Sequence, residues 1–348
     1  MRMKSLHLIG LVALAGATLH GQSATQPIYW STTQPDCSSL NNETPFTVTD
    51  PSLKATLGYS CWVSGTFLWL AAGGEWSTAI RAAAPASGAV AVYYSFYDVT
   101  GASQSLDTTG SLTASSNEVD FALYANQPSE LDLLGATSDR GTRYSSTATG
   151  AVSVMFLCPD ATTCGNVMPQ LLYSALPSYP WSLSVPIAWA GSEWTQWSGV
   201  GYDDGTPEHR VSLAISNADT VSTTYTVSVY DSTGTLAGTA TTASIPSGEN
   251  LGGGVYGPGG SIGVLLSDLF PGLPADLYKI LVDGGTKNSL VEMLQIDGLS
   301  ATTLQVAYDS APSTTSTATA RRQSVSKLRV VSTPRPVVPG LPKQNRSR

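Results

Sequence analysis

From residue 209 onward, apolar and polar positions alternate in short bursts: HRVSLAIS, TTYTVSVYD, TLAGTATTASI, SIGVLL, LYKILVDG, LVEMLQID and TTLQVAY. Period-two alternation turns one face of a segment toward a core and the other toward water, as in half-buried β-strands. Clusters of Gly, Pro, Ser, Asn or Asp separate the segments and supply turns. This density of short strands predicts an antiparallel β-sandwich. The one helical signal is SDLFPGLPADL, where Ser267 and Asp268 are expected to cap a single turn before Pro271 stops it.

The pattern occurs twice. YSFYDVTG at 94–101 returns as VSVYDSTG at 227–234, GGEW at 73–76 as GSEW at 191–194, and YANQPSELDLL at 124–134 aligns with YGPGGSIGVLL at 256–266. Three landmarks in one order predict a duplicated domain. The second copy carries an insertion around QWSGVGYDDGTPEHR, expected to be a loop because extra loop length costs little. In the repeated phrase Asp98 and Asp231 are expected to accept backbone N–H groups two residues on, and Gly101 and Gly234 to take positive φ. Val92, Tyr94 and Phe96 share one strand face and Tyr93, Ser95 and Tyr97 the other, as do Tyr225, Val227 and Val229 against Thr226, Ser228 and Tyr230. One face is expected to pack and the other to be wet or at an edge.

VSLAISNAD, VSVYDSTGTLAG, IPSGEN, LLSDLFPGLP and LQIDGLSATTLQVAYD resemble an immunoglobulin-like or fibronectin-like module of secreted bacterial proteins. The resemblance lies mainly in the second half of the chain. It implies a structural or binding unit and brings no catalytic residues. The expected architecture is all-β: two tandem antiparallel immunoglobulin-like β-sandwich domains, at 25–178 with a leading segment and at 179–310. They are flanked by a signal peptide at 1–24 and a disordered, basic, Pro/Ser/Thr-rich tail at 311–348.

The leader reading rests on Arg2 and Lys4 ahead of an apolar run from Leu6 to Leu19, followed by small and polar residues. No later stretch is long and apolar enough for a transmembrane helix, so a secreted location is expected: extracellular, periplasmic or on the cell surface. There an even number of cysteines reads as disulfides. Cys37, Cys61, Cys158 and Cys164 allow three pairings; the local one, Cys37 with Cys61 and Cys158 with Cys164, is expected, with CPDATTC as a hairpin that brings its sulfurs together.

Charged residues are only 12% of the chain and unevenly placed. All 25 acidic residues lie between Asp36 and Asp309 beside seven basic ones, a balance of −18, whereas residues 311–348 hold eight basic residues and no acid. That tail could meet a polyanion through salt-sensitive contacts or lie against its own acidic body. Without interleaved aromatics it does not favour nucleic acid.

Candidate chemistry is sparse. Gly252, Gly254 and Gly257 fit G-x-G-x-x-G, and Gly259, Ser261 and Gly263 fit G-x-S-x-G, but Pro258-Gly259-Gly260 opposes the helix that either motif needs. His209 is the one histidine outside the leader, so neither zinc nor a triad is expected. YDDGTPEH offers Asp203 and Asp204 as oxygen ligands, against an ordinary reading as an acidic turn. Trp189, Trp194 and Trp197, at or beside the insertion, are candidates for stacking on sugar rings; burial in the sandwich is the competing reading. The combined expectation is a non-catalytic structural, adhesion or scaffolding protein without cofactors, and in second place a carbohydrate-binding protein that meets a polysaccharide or another envelope component.

Overall fold

A computed structural model describes residues 46–50, 55–59 and 61–308, apart from 75, 87, 137–146, 168, 176–181, 190–192, 249, 253–254, 257–258, 299 and 305. The expected signal peptide, Cys37 and the expected tail lie outside the described residues. Among those described, the chain is mostly β, every strand pair is antiparallel, and no helix is long and apolar enough to cross a membrane.

Four sheets make up the body. A five-stranded sheet runs in the order Ala188–Trp189, Cys61–Ala72, Ala148–Cys158, Val90–Asp98, Glu118–Leu123. A six-stranded sheet runs Ser182–Pro186, Gln170–Ala175, Trp76–Ala83, Pro128–Ala136, Leu106–Gly110, Ala114–Ser116. Phe67, Leu70, Val92, Tyr94, Phe96 and Phe156 of the former join Ile80, Leu131 and Leu171 of the latter in one core. Later in the chain come a five-stranded sheet, Leu236–Thr241, Thr226–Tyr230, Asp276–Asp283, Gln196–Asp203, Ala307–Tyr308, and a four-stranded one, Ser261–Leu265, His209–Asn217, Ser289–Asp297, Ser300–Thr303. Trp197, Val227, Val229 and Ile280 meet Val211, Leu213, Ile215 and Met293 in a second core.

The repeated phrase is the same strand and turn in both copies. Asp98 Oδ1 accepts from the Thr100 amide at 2.8 Å and the Ala102 amide at 3.1 Å; Asp231 Oδ1 accepts from the Thr233 and Thr235 amides, both at 2.9 Å. Gly101 and Gly234 take φ of 81° and 82°, conformations that cost a glycine little.

The wet second face holds for one copy only. Tyr225, Val227 and Val229 are buried while Thr226, Ser228 and Tyr230 are partly exposed, but Tyr93, Ser95 and Tyr97 are as buried as the residues they alternate with. The same sheet meets the later part of the chain: Cys61–Ala72 also contacts His209–Asn217, Ser261–Leu265 and Ser289–Asp297 of the four-stranded sheet. Leu68 on its outward face belongs to the second core, while Phe67 and Leu70 belong to the first. The register of this strand against Ala148–Cys158 shifts where the three steps from Phe67 to Leu70 face the two from Val152 to Gly150, and the extra residue on Cys61–Ala72 accommodates the change of face. A Cβ at Gly150 would lie 1.8 Å from the Tyr97 carbonyl oxygen, so the strands can close there only around glycine.

Three further expectations change. Ser182–Pro186 pairs with Gln170–Ala175, and Ala188–Trp189 with Cys61–Ala72, so pairing continues in the first two sheets past residue 178 and changes over only between Trp189 and Gln196. Cys158 and Cys164 are bonded, with Cα atoms 5.4 Å apart, but no hairpin joins them. Asp160 caps a helical turn at Ala161–Gly165, accepting from the Thr163 amide at 2.8 Å and the Thr163 hydroxyl at 3.0 Å, so the bridge ties a strand end to a helix. Cys61 is disulfide-bonded as well. The turn in SDLFPGLP forms at Leu266–Leu269, but Leu265 occupies the cap position without a side-chain bond, and Ser267 and Asp268 lie inside the turn.

Candidate functional site

The aromatic and acidic residues singled out around the insertion serve the fold. Trp197 is buried in the second core, and its indole Nε1–H donates to the Trp194 and Ser289 carbonyls, each at 3.2 Å. Trp194 is half-buried against the same core, its backbone bonded in both directions to Ser289. The Trp189 backbone pairs with Gly65 at a sheet edge. Trp197 is therefore not available to stack on a sugar, because its position in the insertion is a central strand rather than a loop: Gln196–Asp203 lies between Asp276–Asp283 and Ala307–Tyr308.

Asp203 and Asp204 are engaged likewise. Asp203 is buried; Oδ1 accepts from the Gly205 amide and Oδ2 from the Val211 amide, both at 2.9 Å, bracing the crossing from one sheet to the next. Asp204 Oδ1 accepts from the Thr206 amide at 2.9 Å and hydroxyl at 2.6 Å, and those bonds hold its carboxyl below the usual range. These acceptors are spent on nearby amides and the Thr206 hydroxyl, and no group of three or more metal-ligating side chains occurs among the described residues.

A different place gathers binding chemistry. Where the six-stranded sheet borders the four-stranded one, a crevice of about 310 Å³ opens between the two halves of the chain. Trp69, Trp76, Tyr173 and Leu183 line it from one half; Arg210, Ser212, Val264, Leu265, Leu294 and Ile296 line it from the other, with exposed Asp268 also on the lining. Trp76 meets Tyr173 edge to face with ring centroids 6.1 Å apart. Trp69 lies against Gly263, where a Cβ would come within 2.8 Å of the indole, so this glycine gives the ring its seat. An aromatic lining with a few polar groups is the usual character of a ligand site, and the volume lies at the small end of such sites.

Two polar atoms on the lining lack protein partners among the described residues. Arg210 Nε and the Tyr173 hydroxyl are buried and have no hydrogen-bond partner among the described residues. Glu292, on the same strand as Leu294 and Ile296 and two positions further in, is fully buried with Oε1 also unpartnered. Burial pushes its carboxyl up to about 8, so it is mostly protonated at neutral pH. Burial, and secondly the Glu292 charge, pushes the Tyr173 hydroxyl well above its ordinary value.

None of these residues was singled out from the sequence except by type. Trp69 and Trp76 are two of eight tryptophans in the chain, Arg210 is one of seven basic residues in the acidic body, and Glu292 is a charge inside the strand LVEMLQID. Which of them share one crevice is decided by the packing of the halves. Comparison of the chain with protein-family models, curated proteins and solved structures yields no match.

Proposed function

We propose that this is a non-catalytic secreted or cell-surface structural, adhesion or scaffolding protein, in which two immunoglobulin-like sandwich units act as one rigid body. The observation that carries this reading is the dry junction: a sheet whose strands Cys61–Ala72 and Val90–Asp98 are buried on both faces, with buried Tyr93, Tyr97 and Leu68 on the outward side. A bearing element gains stiffness from such a junction, because close-packed interiors transmit strain. Calorimetry of the mature chain tests it. One transition with equal calorimetric and van't Hoff enthalpies is expected; two well-separated transitions would leave units joined only by a linker.

A second reading, carbohydrate binding, is supported by the crevice. Sugar rings present apolar faces that stack on aromatics and hydroxyls that need donors and acceptors; Trp69 and Trp76 offer the first, and Arg210, Ser212 and Asp268 the second. Electrophoresis through gels containing single polysaccharides tests it: retardation that Trp76→Ala removes and high salt does not is expected. Retardation that vanishes with salt and persists in Trp76→Ala would instead assign the binding to the basic segment 311–348 meeting a polyanion.

A further inference from the structure

Arg210 sets a narrower requirement than the aromatic rings do. It extends from His209–Asn217 opposite Ile296, and the lining around it includes Leu183, Val264, Leu265 and Leu294. It is the one basic residue on the crevice lining, and it makes no ion pair among the described residues. Its Nε–H is out of water and has no hydrogen-bond partner among the described residues. A buried donor on a charged group is costly to leave unsatisfied, and the planar guanidinium fork matches a carboxylate through two parallel hydrogen bonds.

We propose that the crevice binds a carboxylated sugar unit, a uronic acid, with the sugar ring against Trp69 and Trp76 and its carboxylate on the Arg210 fork. This rests on the carbohydrate-binding reading and adds the charge of the ligand. Ser212 and Asp268 are lining side chains that can bond the ring hydroxyls. Charges of the acidic body beyond about 8 Å are largely screened at physiological salt; Asp268, exposed on the lining itself, opposes an anion, and the contact on Arg210 has to outweigh it.

Isothermal titration of the full mature chain with galacturonate trisaccharide, with its methyl ester, and with the neutral galactose trisaccharide of the same linkage tests the proposal. The free acid is expected to bind at least tenfold more tightly than either neutral ligand. Arg210→Gln should remove that preference, and Arg210→Lys should restore only part of it, because an ammonium lacks the fork. Comparison of acid and ester on the unaltered chain needs no variant and stands even if Arg210→Gln does not fold. Equal binding of acid, ester and neutral sugar, lost in Trp76→Ala, would overturn the acidic-sugar assignment and keep the sugar reading. No binding of any of the three by folded protein would overturn both. Acid binding that persists unchanged in Arg210→Gln and vanishes at high salt would move the site to the basic segment and overturn the assignment as well.

Discussion

The Ser261 amide donates to the Val99 carbonyl at 3.1 Å, tying the turn of the first YDxTG copy to an edge strand of the second half. Beside it, a Cβ on Gly260 would lie 2.7 Å from the same Val99 oxygen and 2.9 Å from Pro246 Cδ. Gly260→Ala is therefore expected to push the halves apart and lower unfolding free energy by about 1–3 kcal/mol, the usual cost of overpacking. Urea titration measures it. Gly165→Ala, where an added Cβ meets nothing within 4 Å, serves as a control expected to be neutral or mildly stabilising.

The same bond makes the two copies of the phrase unequal. Asp98→Asn and Asp231→Asn each weaken an Asx-type turn, but only the first turn carries a contact to the other half. Asp98→Asn is expected to lower the melting temperature more than Asp231→Asn. Equal shifts in differential scanning calorimetry would mean that the Val99 contact contributes nothing.

Glu292 predicts a pH dependence. Its carboxyl titrates near 8 when folded and near 4.5 when unfolded, so between these values the folded chain holds the extra proton. Its contribution is fully present below about pH 4.5, falls as pH rises through 8, and is constant above, a loss on the order of a few kcal/mol. Urea midpoints should decline from pH 5 to 9, and Glu292→Gln should flatten that decline. A separate acid limb is expected below pH 3.8, where Asp160, Asp204, Asp231 and Asp276, all held below that value by hydrogen bonds, take up protons and lose their stabilising contribution.

The Cys158–Cys164 bridge closes a short loop, six residues in sequence. Chain entropy assigns such a bridge about 2 kcal/mol. Replacing both cysteines by Ser is expected to cost at least that, since both sites are buried, and the loss should appear as a lower urea midpoint under non-reducing conditions.

Local pattern made the strands and their turns legible. Asp98, Gly101, Asp231 and Gly234 adopt the turn chemistry that their residue types imply, because an Asx turn and a positive-φ glycine depend on a few neighbouring atoms. Where local signals mislead, a distant partner decides. Tyr93 and Tyr97 look like a wet face because alternation says that two faces exist, not that the second will be covered. Trp197 and Asp203 look like loop residues because the insertion has no counterpart in the first half, yet strand pairing with Asp276–Asp283 takes them into the sheet and the core. CPDATTC reads as a hairpin until Asp160 is seen to cap a helical turn.

By itself, then, the sequence determined an antiparallel β chain with repeated turns, an acidic body and no recognisable catalytic motif, since these follow from residue type and from spacings of a few positions. Only the tertiary structure decided that the strands Cys61–Ala72 and Val90–Asp98 are largely buried on both faces, that Trp69 and Trp76 rather than Trp194 and Trp197 line a crevice, and that Arg210 reaches it. Those outcomes depend on which faces meet across more than a hundred residues of chain, and the free energy of burying one face against another is set by shape and area that no local period encodes.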